Sequence, residues 1–164
     1  MPNPGDYFVV ATPGFAARVI RVATRSPWNH SGIYKGNGTI IEADPSRPIR
    51  GGKTGVQYAD VSKYDGCKIL WSNLQLPPER AAVVITAAEA QLGLEYGWLD
   101  VAAIGLSTIG IVTAKLDDPD SRFCSQVSAI SENADRLLCD KAVNRITPGD
   151  LANIINHQPV PANW

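Results

Sequence analysis

Two apolar, alternating runs flank Gly36-Asn37-Gly38, and the length of the turn between them decides which side chains share a face of the sheet. The runs are "HSGIY" before the turn and "TIIEA" after it. A two-residue Asn37-Gly38 turn pairs Ile33 with Glu42 and puts His30 and Glu42 on opposite faces. A three-residue loop, with Gly38 left-handed, pairs Tyr34 with Ile40 and Ile33 with Ile41. This second register matches apolar with apolar on both faces, and it brings His30 and Glu42 to the same side. The hydrophobic pattern therefore predicts that these two polar residues come together on one face.

The other signals order themselves around this hairpin. "GDYFVVAT" (residues 5–12) reads as a strand, followed by a helix over "PGFAARVIRVATRS" with Pro13 near its first position. "PSRPIRGGKTG", from Pro45, reads as a loop whose Arg47, Arg50 and Lys53 are solvated or face a substrate carboxylate. Strands are predicted over "GVQYADV" and "CKILWSN", and helices over "PPERAAVVITAAEAQLG", residues 98–109, residues 122–138 and "TPGDLANIINH". Strands gather in the first half and helices in the second, which indicates α+β rather than alternating α/β. With 164 residues and no repeat or long linker, residues 1–164 are expected to form a single domain.

Charge and composition exclude several classes. The net charge of −1 gives no overall electrostatic footprint for nucleic acid or an anionic membrane, and the aromatic residues do not interleave with basic ones. "LDVAAIGLSTIGIVTA", from Leu99, is too short and too polar to span a membrane, so no insertion is expected. The N-terminus lacks a secretory pattern, which predicts a cytoplasmic protein, or a phage-encoded one delivered by particle or lysis. Three cysteines without a CxxC pair argue against a disulfide framework and against zinc. Cys67, in an apolar strand, and Cys139, late in a helix, read as core residues.

Cys124 differs from these. With Asp120 or Ser121 as N-cap it falls in the first turn of a helix, where unpaired N–H groups and the helix dipole stabilise a thiolate. A Cys at a helix start, a His on a strand and a polar residue orienting the His compose a thiol nucleophile with its base.

"HSGIY" around His30, "IIEA" around Glu42, "FCSQV" around Cys124, the opening Gly5-Asp6 and the late "TPGDL" resemble, in this order, the permuted branch of the NlpC-type papain-like amidases, the YiiX-like proteins. The lecithin retinol acyltransferase-like enzymes are more distant relatives with the same His-before-Cys order. The resemblance implies a circularly permuted papain-like fold, with a small antiparallel sheet packed against helices. It implies Cys124 as nucleophile, His30 as base and Glu42 as the residue that orients His30. The implied partner is a peptide or acyl substrate: cell-wall peptide first, a fatty-acyl amide or ester second, with no metal or organic cofactor. A non-catalytic binding module on the same fold is the alternative. Trp28 and Tyr96 read either as walls of a substrate groove or as core. Two positions depart from the family pattern. Gln126 stands where many relatives carry Glu, and Tyr96 is followed by Gly97 rather than Asp.

Overall fold

The computed structural model describes residues 2–49, 52–97, 121–122, 124–134 and 146–157. Its elements are β1 (Tyr7–Ala11), α1 (Phe15–Thr24), β2 (His30–Gly36), β3 (Thr39–Pro48), β4 (Thr54–Asp60), a 3₁₀ turn (Val61–Tyr64), β5 (Lys68–Trp71), α2 (Pro78–Glu89), β6 (Glu95–Tyr96), β7 (Ser121–Arg122), α3 (Cys124–Ala134) and α4 (Pro148–His157). Among the described residues the strands form one sheet in the order β5-β1-β2-β3-β4-β6-β7. Neighbouring strands run antiparallel except β6 and β7, which are parallel. The architecture is α+β.

Apolar residues on both faces of β1 explain its place inside the sheet rather than at an edge. Tyr7 and Val9 join Ile33, Ile41, Ala43 and Val56 in a core that also holds Val84 of α2, Val127 of α3 and Leu151 of α4. Phe8 and Val10 point the other way, into a smaller core with Ile40, Ala59 and Tyr64. Fully burying a side chain of Val or Ile size contributes about 1.5–3 kcal/mol, so both faces help to hold β1 in place. Among the described residues no helix is long and apolar enough to cross a membrane.

The hairpin register is the one that the apolar pattern selects: Ile33 pairs with Ile41 and Tyr34 with Ile40. The local means differ from a simple three-residue loop. Asn37 (φ 50°) and Gly38 (φ 76°) form a tight turn with both residues left-handed, and the extra residue is a bulge in β2 between Tyr34 and Gly36. The bulge restores the parity that a two-residue turn would have broken.

Several boundaries move from the sequence reading. α1 begins at Phe15, with Gly14 rather than Pro13 at its margin, because Gly14 adopts φ 111°. β3 runs on to Pro48 through what read as a loop, pairing Pro48 with Thr54 after an irregularity. Cys67 precedes β5 and is half-buried at the edge of the smaller core, not enclosed in a strand. Ser121 belongs to β7 instead of capping α3. Asp6 does more than close its own turn: its carboxylate accepts hydrogen bonds from Asn3 N–H, Ser72 Oγ and Leu74 N–H, fastening the chain start to the end of β5. The helix expected over residues 98–109, the far end of the one expected over 122–138, and Cys139 lie outside the described residues.

Candidate functional site

His30 is the first residue of β2 and Cys124 the first of α3. In the sheet His30 pairs with Val10, so it belongs to the face of the smaller core, whereas α3 packs on the opposite face through Val127 and Ala129. The two residues meet because both stand at the ends of their elements, where a side chain can reach round the end of the sheet. α3 is held close to β2 by small polar residues. Ser128 Oγ lies 3.3 Å from Ser31 Oγ, and Ser125 Oγ donates to the Ile146 carbonyl at 2.6 Å. Three buried serines in place of larger apolar residues allow this approach without leaving unsatisfied hydroxyls, since Ser131 donates to the Val127 carbonyl.

The His30 ring is engaged on both sides. Nε2 lies 2.9 Å from Glu42 Oε2, and the Cys124 side chain lies close enough to interact with the ring. All three groups are nearly enclosed: His30 is 8% exposed, Glu42 0% and Cys124 3%. Burial alone would push the ring toward its neutral form. The charge and hydrogen bond of Cys124, with those of Glu42, outweigh burial and push the His30 pKa up to about 10. An imidazolium is therefore the form of His30 that these surroundings favour.

Glu42 sits within a further shell of partners. Tyr64 Oη donates to Oε2, and Lys63 Nζ binds Oε1. The same ammonium reaches Asp44 Oδ2 at 2.7 Å. Asp44 in turn accepts from Ser46 N–H at 2.8 Å and Ser46 Oγ at 2.6 Å. Burial would raise the Glu42 carboxyl, but His30 and Lys63 hold it below its ordinary range. Asp44 is likewise depressed, to about 2, because the Lys63 and Ser46 contacts outweigh its burial. Tyr64 is raised far above the usual phenol range, by burial first and by the Glu42 charge second, so it remains a donor. Gly32, facing Glu42 in the register, keeps this face thin: a Cβ there would come within 2.8 Å of the Ile41 carbonyl and 3.0 Å of the Phe8 ring.

Cys124, His30 and Glu42 are thus brought together by the fold. Trp28 and Tyr96 are both buried in the main core, and Lys68 Nζ lies 5.4 Å from the centre of the Trp28 ring. Tyr96 lies close enough to the site for the charges of Cys124 and Asp44, after burial, to raise its hydroxyl pKa. Gln126 is buried in the same helix turn.

Asp44, Lys63 and Tyr64 escaped the sequence reading. For Asp44 a signal was present, because strand alternation puts it on the Glu42 face and the register carries it opposite His30. For Lys63 and Tyr64 there was none: the 3₁₀ turn that returns them to the sheet, started by Asp60 accepting from Ser62 N–H, has no long-range signature.

No family model matches the chain, and no curated protein does. Among solved structures the chain is similar to the crystal structure of the metalloprotein yiiX from Escherichia coli O157:H7, described as DUF1105. The TM-score is 0.50 at 18% identity, over 81% of this chain and 66% of that one. The chain therefore shares the YiiX-like fold while spanning about two thirds of that protein's length.

Proposed function

We propose that the chain is a thiol hydrolase on a permuted papain-like frame, cleaving an amide bond through an acyl-enzyme. One observation carries this reading: the buried His30 ring is held between Glu42 and Cys124. The Cys124 thiolate attacks the substrate carbonyl, and the N–H of Cys124 at the start of α3 helps to stabilise the oxyanion. The His30 imidazolium gives its proton to the leaving nitrogen as the C–N bond breaks. His30, now neutral, removes a proton from water; the hydroxide displaces the thiolate, releasing the acid and restoring the pair. Glu42 keeps the ring aligned and stabilises its cation.

Resemblance to the NlpC-type amidases makes cell-wall peptides the substrate class of this proposal. YiiX is titled a metalloprotein, but the donors around His30 do not fit a divalent cation. Among the described residues no group of three or more His, Cys, Asp or Glu side chains is arranged to hold one. The Lys63 ammonium already lies between the two carboxylates.

The test is digestion of purified peptidoglycan, with product masses read by mass spectrometry, alongside labelling by a thiol-reactive probe at neutral pH. New amine and acid termini, absent with Cys124→Ala, are expected. Intact peptidoglycan, together with a Cys124 that labels no faster in the wild type than in His30→Ala, would overturn the proposal in favour of a binding module.

A further inference from the structure

α1 carries its apolar residues outward. Phe15 is 84% exposed, Val22 71% and Val19 52%. At 100° per residue these positions form one stripe along the helix, while Ala17, on the far side, is buried. Arg18 and Arg25 flank the stripe on one side, both exposed, and among the described residues neither side chain has a hydrogen-bond or ion-pair partner. Arg21 is turned back to the body of the protein, where it donates to the Thr12 carbonyl and Asn29 Oδ1 and anchors the helix. An open groove of about 680 Å³ runs beside the stripe, lined by Ala11, Arg18, Arg21, Val22, Ser26 and Pro27.

The net charge of −1 hides how this charge is distributed. Residues 7–41 contain Arg18, Arg21, Arg25 and Lys35 and not one Asp or Glu. We propose that α1 is a peripheral docking helix for an anionic lipid surface, with Phe15, Val19 and Val22 entering the headgroup boundary and Arg18 and Arg25 meeting lipid phosphates. An exposed apolar stripe edged by arginine is the pattern of a helix lying in a membrane interface. A second copy fits poorly, because a two-fold contact through α1 would set the same arginines against one another with no acid on the helix to offset them. Nucleic acid would leave the two valines at the centre of the patch without a partner. The helix lies on the membrane and does not span it.

Co-sedimentation of the full chain tests this, using vesicles of phosphatidylcholine with and without phosphatidylglycerol. Binding is expected only with the anionic lipid, and it weakens as salt is added. Arg18→Ala and Arg25→Ala should each lower partitioning about fivefold, and Phe15→Ser about tenfold. Cys124→Ala should bind as the wild type does, so the result is independent of the hydrolase proposal. All the lipid-face substitutions are at exposed positions, and circular dichroism checks that each variant keeps its fold. No binding to anionic vesicles, or equal binding by Phe15→Ser, overturns the proposal. A dimer that Val22→Asp dissociates would reassign the face to self-association. Binding of an oligonucleotide in place of vesicles would reassign it to nucleic acid.

Discussion

Lys63 Nζ lies 2.7 Å from Asp44 Oδ2 and also binds Glu42, so one half-exposed cation bridges two neighbouring carboxylates of β3. The ammonium does not touch His30. It acts on the ring through Glu42, as a positioning residue.

Lys63→Met should therefore leave Glu42 and Asp44 facing each other unneutralised, and one of them would take up a proton closer to neutral pH. The acid limb of the pH–rate profile should move upward by about one unit, so that activity at a fixed pH on that limb falls about tenfold. Lys63→Arg should restore most of both. A profile shape unchanged in Lys63→Met would remove the residue from the site.

Cys124→Ala and His30→Ala should each lower turnover by about a thousandfold or more, and the double variant should be no worse than either, since the two act as a unit. Glu42→Gln should be milder, because an amide can still hold the ring while stabilising its cation less. Additive losses in the double variant would mean separate roles.

The His30 pKa of about 10 lies above its unfolded value of about 6.5. The charged ring thus stabilises the fold in full below about pH 6.5, and this contribution is lost as pH rises through about 10. Turnover by the proposed mechanism, in which the imidazolium protonates the leaving group, should persist into alkaline solution and fall as pH passes about 10. Ring proton shifts followed by NMR would report the transition directly; a midpoint near 6.5 in the folded protein would contradict it.

Asp44 behaves in the opposite sense. Its pKa of about 2 lies below the unfolded value of about 3.9, so its charge stabilises the fold above about pH 4 and ceases to do so as pH falls through about 2. Denaturant unfolding at pH 5 and pH 2 should show the wild type losing more stability on acidification than Asp44→Asn. Equal losses would mean that Lys63 does not hold Asp44.

Gly32→Ala should destabilise the protein by about 1–3 kcal/mol, because its Cβ would press on the Ile41 carbonyl and the Phe8 ring. Thermal unfolding measures this. An unchanged midpoint would show that the β1–β2–β3 face has slack.

The parts of the fold that were legible in the sequence are those governed by local pattern. Alternation at Ile33, Tyr34, Ile40 and Ile41 fixed the hairpin register, and Pro78 with the apolar positions of α2 marked that helix. Thr147 and Asp150 cap α4 reciprocally, as an N-terminal signal should: Asp150 N–H donates to Thr147 Oγ1, and the Asp150 carboxylate accepts from Thr147. What was not legible depends on tertiary return. Pro48 reads as a strand breaker, yet here it ends a strand edge paired with Thr54. Lys63 reaches Glu42 across 21 residues of chain, with nothing in "VSKYDG" to announce it. The exposed valines of α1 look, in sequence alone, like those of any helix packed on a core.

The extra residue between Tyr34 and Gly36 ties the length of a surface turn to the chemistry beneath it. Loop tips ordinarily tolerate insertions and deletions of any size. In this hairpin only changes of two residues at a time leave the carboxylate of Glu42 beside the imidazole of His30; any odd change exchanges the inner and outer rows of the return strand. Evolution of this turn is thereby quantised, and a single-codon deletion at a surface tip would take the carboxylate away from the ring as surely as losing the acid itself.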